Sequence, residues 1–286
     1  MNHLAPETYS AYCNTDYGKV LAQRARYEGF LPKGCSLEVW ESILGRNANN
    51  LHHLQQSMDD ARDFVDAENS LNKDVFNADD KIVLVLAGCL HDQAEGHPEI
   101  GDIPYGTKTN EQKIREIKVL NSLIEEYIEN LSSDDKDVYY FRQAQKAVFG
   151  DRNNRITAAF QAIEHIGFLN DALRASAQLD KLEGYPDSLQ EDTQSIIIAL
   201  KRLVVEIFGS GVIEIIINLS DQFPSLKLLL DKHALHISKV YQSTTPDIFD
   251  WYDNTVIPPQ QISEREDRIA RFKYQQAIWD EWYKDN

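Results

Sequence analysis

One stretch of the sequence decides the fold class, and from Asn77 to Glu95 it reads NADDKIVLVLAGCLHDQAE. Its middle is apolar on nearly every side, which is the composition of a buried segment. Asn77 and the acidic residues after it suit the N-terminus of a helix, where side-chain oxygens accept hydrogen bonds from free backbone N–H groups. A β-strand over Ile82–Leu86 is the alternative, since this run is rich in β-branched residues. The acidic cap and the helical patterns on both sides favour a helix.

Helical patterns extend through most of the remaining chain. Residues 50–65 carry apolar side chains every three or four positions, as one face of an amphipathic helix requires. Glycines and prolines between residues 95 and 109 indicate a loop instead. Long helices are expected at residues 110–131, 134–149, 153–182 and 263–286. We therefore predict an all-α protein made of an N-terminal helical segment (1–35), a helical bundle core (36–185) and a C-terminal helical appendage (186–286).

The overall charge limits the classes of partner. The 286 residues include 29 Lys and Arg against 46 Asp and Glu, a formal net charge of −17. Such a charge repels a phosphate backbone, which argues against extended nucleic acid as a partner. A small phosphorylated substrate is still compatible, because a bound metal ion reverses the local field.

The most hydrophobic stretch, Ile196–Leu219, is interrupted by four charged residues. A membrane span of about 20 residues does not usually carry so many charges, so we expect no membrane partner. The stretch offers more apolar surface than one helical face needs, and we expect part of it to be buried in a homodimer. The three cysteines form no CxxC pair and the first residues form no apolar signal segment, so a cytoplasmic location is expected.

The buried helix ends in the doublet His91-Asp92. An apolar helix that brings an imidazole and a carboxylate into the interior must compensate two polar groups, and a divalent cation does so. Adjacent helical residues point about 100° apart. Both side chains therefore reach one ion only where the helix ends, as it does here.

Three motifs together resemble the HD-domain superfamily of metal-dependent phosphohydrolases. They are HLQQ at residues 53–56, HDQAE at 91–95 and GDIP at 101–104, and they are most similar to the bacterial 5′-deoxynucleotidase branch. The resemblance implies an HD-type helical core that binds one divalent transition metal (Mn, Co, Fe or Ni) or Mg. Its metal ligands would be His53, His91, Asp92 and an acid on a later helix.

The resemblance also assigns the remaining site residues. His53 fits the family motif better than its neighbour His52. The acid on the later helix is expected to be Glu164, with Asp171, two turns further along, as the alternative. Proton transfer is expected of Glu95 and Asp102. Lys108, in the same loop as Asp102, is the candidate for binding a phosphate group.

The implied activity is hydrolysis of a phosphomonoester, with a deoxynucleoside monophosphate or related nucleotide as substrate. Two alternatives stay open. One is a hydrolase of the same superfamily that acts on nucleoside triphosphates or a signalling nucleotide. The other is a non-catalytic binding or scaffold protein that has the HD fold without the activity.

Overall fold

The computed structural model describes residues 3–27, 30, 36–45, 48–72, 75–98, 100, 109–151, 153–183, 191–243 and 262–286. Within these ranges the secondary structure is helical, and the only β-type pairing is an isolated bridge between Ala25 and Asn49. The all-α prediction is therefore confirmed. No helix within the same ranges combines the length and apolar character that a membrane crossing requires.

The chain forms two compact units, the first made of residues 1–29 and 35–167. The helices of the first unit are α1 (Leu4–Asn14), α2 (Asp16–Leu21), α3 (Leu37–Leu44), α4 (Asn50–Leu71), α5 (Ala78–Leu90), α6 (Asn110–Leu131), α7 (Asp135–Phe149) and the first part of α8 (Arg155–Glu183). A 3₁₀ turn, Gln93–Gly96, follows α5. Helix α5 contacts α1, α4 and α7. Every residue from Val83 to Leu90 is buried as a result, which explains why this segment is apolar on all sides.

Helix α5 begins with a reciprocal cap. The Asn77 side chain accepts a hydrogen bond from the Asp80 backbone N–H at 2.9 Å, and the Asp80 carboxylate accepts one from the Asn77 N–H at 3.1 Å. Two backbone donors that the first turn leaves free are thereby satisfied. The prediction of a helix rather than a strand is confirmed here, and the cap is the one that the sequence indicated.

Helices α4 and α5 come unusually close at Gly88. A Cβ atom built on Gly88 would lie 2.7 Å from the carbonyl oxygen of Ser57 on α4. Only glycine permits this approach without a shift of the backbone. Gly88 lies three residues before His91, and Ser57 lies four residues after His53. The close contact therefore brings the two predicted histidine ligands toward each other.

The second unit contains residues 30–34 and 168–286. Its helices are the remainder of α8, α9 (Glu191–Gly209), α10 (Val212–Ser220), α11 (Pro224–Ser243) and α12 (Ile262–Asp285). The chain breaks between α9 and α10, where Gly211 has a φ of 98°. Trp279 on α12 is fully buried and donates a hydrogen bond to the Ser238 hydroxyl of α11 at 2.9 Å. Trp279 thus packs within this unit.

The compact units do not follow the domain boundaries predicted from composition. Residues 1–29 belong to the same unit as the helices of the predicted core, because α1 contacts α4, α5 and α6. The units divide between Gly167 and Phe168, inside the continuous helix α8. A boundary inside a helix leaves no glycine- or proline-rich linker for sequence analysis to detect. The predicted boundary at residues 185/186 lies outside the described residues.

Candidate metal centre

Three of the four predicted ligands converge in the first unit. His53 lies on α4, His91 directly follows α5, and Asp92 is the next residue in the chain. The Nε2 atoms of His53 and His91 are 3.2 Å apart, and Asp92 Oδ2 lies 3.5 Å from the former and 3.0 Å from the latter. The three ligand atoms lie within 4.8 Å of one another, and the described part of the chain contains no second group of this kind. They are close enough to bind one ion.

The end of α5 explains how adjacent residues meet at one point. The His91 N–H still donates to the Ala87 carbonyl as in a helix, at 3.0 Å. Asp92 then leaves the helical conformation, with φ −105° and ψ 8°. This is the bridge region of backbone conformations, which many active-site residues adopt. The change of direction turns the Asp92 carboxylate toward the imidazole of its neighbour, as expected for a site at a helix end.

Hydrogen bonding prepares His91 as a ligand. Its Nδ1 lies 3.0 Å from the Gly88 carbonyl oxygen, which can only accept a hydrogen bond. We therefore place a ring proton on Nδ1, and Nε2 is the nitrogen directed toward Asp92 and the site. Metal-binding histidines are oriented in this way, by donating their other ring N–H to a carbonyl or carboxylate oxygen.

His53 has a different partner. The Arg26 guanidinium donates to its Nδ1. Arginine is only a donor, so a neutral His53 in this arrangement carries its proton on Nε2. Binding of a metal ion through Nε2 requires the proton to be on Nδ1 instead. Loading the site therefore requires Arg26 to leave Nδ1 of His53.

The electrostatic surroundings of the two histidines differ. Burial, helped by the Arg26 charge and by His91, holds the pKa of His53 well below its usual value, so this ring is neutral near pH 7. Burial also acts to lower the pKa of His91, but the carboxylates of Asp92 and Glu164 outweigh it and raise that pKa. A proton thus competes with a metal ion more strongly at His91 than at His53.

Glu164, the predicted fourth ligand, lies at the edge of the buried face of α8. Ala159, Phe160 and Ile163 are buried, and Glu164 is half-buried. The Phe160 ring packs edge-on against His91, with 5.7 Å between the ring centres. Glu164 follows Phe160 by one turn and influences the pKa of His91, although its carboxylate is not one of the three clustered ligand atoms. Asp171 is buried and belongs to the second unit.

We expect Glu164→Gln to weaken metal binding by roughly tenfold or more, since even outer-sphere partners of a metal contribute 10–100-fold. Asp171→Asn is the matched control on the same helix and is expected to have little effect. Isothermal titration of the metal-free protein with Co²⁺ measures both changes. If Asp171→Asn lost affinity and Glu164→Gln did not, the fourth ligand would be Asp171.

The other site residues considered in the sequence analysis are Glu95, His52, Asp102 and Lys108, and the structure describes the first two. Glu95 is buried within the turn Gln93–Gly96. Burial first, and then the charges of Glu95 and Asp92, raise the pKa of the Tyr12 hydroxyl, so both carboxylates lie near it. His52 is half-buried and is not part of the cluster of ligand atoms. Asp102 and Lys108 lie outside the described residues.

Sequence analysis missed four side chains around the cluster: Tyr12, Arg24, Arg26 and Gln93. Arg24 donates to the Glu95 carbonyl oxygen at 2.5 Å, and Arg26 contacts His53. The two arginines lie two residues apart in a strongly acidic chain. This local positive charge is a sequence signal that could have indicated their place near the site. No sequence signal marks Tyr12 and Gln93. Tyr12 bonds to Gln93 across 81 residues, and Gln93 bonds to Tyr127 across 34.

Comparison with protein-family models, with curated proteins and with solved structures found no match to this chain.

Proposed function

We propose that this protein is a metal-dependent phosphohydrolase that releases phosphate from a phosphomonoester, with a nucleoside or deoxynucleoside monophosphate as the substrate class. The convergence of His53, His91 and Asp92 is the observation that carries the proposal. These residues come from two helices, and 38 residues separate the two histidines, whose ring nitrogens nevertheless lie 3.2 Å apart. The same three residues are those to which the resemblance to the HD motifs assigns metal binding.

The donor set fits a divalent transition metal. Imidazole nitrogens suit Mn, Fe, Co and Ni better than they suit Mg, which prefers oxygen ligands. His91 donates from Nδ1 to a backbone carbonyl oxygen and so presents Nε2 to the site, and the negative charge of Glu164 acts on the same ring. A divalent ion bound here would stabilise the charge that develops on a transferring phosphoryl group and would activate a water molecule.

The neighbouring residues supply the other requirements of phosphoryl transfer. Glu95 is a buried residue three positions after Asp92, and we assign it proton transfer to or from the reacting oxygens. Arg26 is positively charged at every physiological pH and lies against His53. Once displaced from Nδ1, its planar guanidinium can donate two parallel hydrogen bonds to a phosphate group. Positioning and charge neutralisation thus account for the proposed role of the protein.

A phosphate-release assay tests the proposal. Purified protein is incubated with a panel of nucleoside mono-, di- and triphosphates, with Mg, Mn, Fe, Co or Ni supplied in turn. We expect release from at least one monophosphate with a transition metal, and loss of that activity in His91→Gln. His236→Gln, which removes a histidine of the second unit, is the matched control and should retain it.

The alternatives give different results in the same assay. Hydrolysis restricted to triphosphates would move the substrate class to nucleoside triphosphates. Metal binding without hydrolysis of any compound would favour a binding or scaffold protein. A protein that binds none of the metals would contradict the proposed centre itself.

A further inference from the structure

The turn Gln93–Gly96 joins the two acids of the proposed centre, because Asp92 directly precedes it and Glu95 lies within it. All four residues of the turn are buried. The backbone of Asp92 has already left the helical conformation of α5, so the helix no longer dictates where its carboxylate lies. The positions of the Asp92 and Glu95 carboxylates therefore depend on the contacts that fix the turn Gln93–Gly96.

Gln93 is the residue through which the turn is held. Its side-chain Nε2 donates to the Cys89 carbonyl oxygen at 2.9 Å, and its Oε1 accepts a hydrogen bond from the Tyr127 hydroxyl at 2.7 Å. Its backbone carbonyl oxygen accepts a hydrogen bond from the Tyr12 hydroxyl, also at 2.7 Å. Three helices, α1, α5 and α6, thus hold one residue next to Asp92. Gln93 is fully buried, so water does not compete for these hydrogen bonds.

Two further contacts hold the far end of the turn. Arg24 donates to the Glu95 carbonyl oxygen at 2.5 Å. A Cβ atom on Gly96 would lie 2.3 Å from the Tyr12 hydroxyl oxygen and 2.5 Å from the Tyr17 carbonyl oxygen. Glycine is therefore required for α1 and the chain after it to approach so closely. The turn has little freedom to move relative to these partners.

The hydroxyl groups of Tyr12 and Tyr127 form directional hydrogen bonds in addition to the packing of their rings. A phenylalanine ring would occupy nearly the same volume in this apolar interior without a polar atom to compensate. The hydroxyls of Tyr12 and Tyr127 are instead directed at the two oxygens of Gln93, one in its backbone and one in its side chain. Directional bonds of this kind specify an orientation, which packing alone does not.

We propose that Tyr12, Tyr127 and Gln93 are positioning residues of the metal centre. Acting together, they orient the turn so that the Asp92 carboxylate meets the two imidazoles and the Glu95 carboxylate is held beside them. The inference rests on the proposed metal centre, but not on the identity of the substrate. It assigns the tyrosine hydroxyls to the outer sphere of the ion, where partners of this type orient the direct ligands.

The chain provides a matched control at the opposite end of α5. The Tyr140 ring is buried, and its hydroxyl donates to the Asp79 carboxylate in the first turn of α5 at 2.6 Å. Tyr140→Phe therefore removes a hydroxyl and its short hydrogen bond to Asp79, which lies twelve residues before His91. If the tyrosine hydroxyls had only a structural role, their removal at either end of α5 would change stability and metal binding in the same way.

The experiment is a Co²⁺ titration of the full-length protein, followed through the visible absorption of the bound ion, whose wavelength and intensity report ligand geometry. Tyr12→Phe and Tyr127→Phe are each expected to weaken Co²⁺ binding by roughly tenfold and to change the absorption spectrum. Tyr140→Phe is expected to lower the melting temperature but to keep the wild-type affinity and spectrum. Each substitution removes a single oxygen atom and retains the ring, so the packing is preserved.

The outcomes separate this inference from the proposed function. If the wild type binds Co²⁺ and both site variants match it in affinity and spectrum, the positioning role is wrong while the metal centre stands. If all three variants change affinity equally, the hydroxyls act through general stability and the inference is again wrong. A wild-type protein that does not bind Co²⁺ would remove the metal centre, and this inference with it.

Discussion

Asp92→Ala is expected to abolish metal binding and phosphatase activity while leaving the helical content unchanged. Asp92 supplies the only carboxylate in the described cluster of three ligand atoms. Its side chain is 26% exposed, so its removal leaves no buried cavity of consequence. Because loss of an outer-sphere partner alone weakens metal binding by roughly 10–100-fold, loss of a direct ligand should exceed about 100-fold. Metal content after dialysis and circular dichroism together measure the effect.

Asp79→Asn is the matched control for that substitution. Asp79 is a carboxylate on the same helix, in its first turn, where it pairs with Tyr140 and Lys136. We expect this variant to keep its metal and its activity, with only a modest loss of stability. Tight metal binding that persisted in Asp92→Ala would contradict the assignment. Loss of the helical signal in Asp92→Ala would instead show that the doublet has a structural role.

Gly88→Val is expected to destabilise the fold by about 3 kcal/mol and to abolish metal binding with it. The first added carbon would lie 2.7 Å from a backbone oxygen and 2.8 Å from a backbone carbon of Ser57. A backbone cannot move aside as the end of a flexible side chain can, so α4 and α5 must separate. Their separation would increase the distance between His53 and His91, which lie one turn away on either side of the contact. Thermal unfolding should show a decrease in Tm of roughly 6–12 °C.

Gly167→Ala is the control for the glycine substitution. Gly167 is also inside a helix, but the nearest atom to its added Cβ is the Asp60 carboxylate oxygen at 4.0 Å. The greater helix propensity of alanine should therefore act without a clash and raise stability by up to about 1 kcal/mol. If both substitutions destabilised the fold equally, the close contact with Ser57 would not be the reason that residue 88 must be glycine.

The sequence was sufficient to predict the elements whose signals are local. Helix α5 is one example, because its cap at Asn77 and its apolar run are contiguous and need no distant partner. Helix α6 is another, and its observed bounds, Asn110–Leu131, are the predicted ones. The N-terminal segment was predicted to be helical, but no bounds were predicted for α1, which contributes Tyr12 to the surroundings of the cluster. The division between the two units was also not predictable, since it falls inside one helix.

The sequence by itself determined the class of fold, and it predicted three ligand residues whose side chains converge in the structure. The buried helix that ends in His91 and Asp92 indicated two of them, and the resemblance to the HD motifs indicated His53. It did not determine the residues that surround them. Tyr12 and Tyr127 meet Gln93 across 81 and 34 residues, and Arg26 meets His53 across 27. Only the tertiary structure decided those contacts, because they depend on how α1, α4, α6 and the segment after α2 pack around the end of α5 and the turn Gln93–Gly96. That packing is set by the sum of many weak contacts, for which no short sequence motif exists.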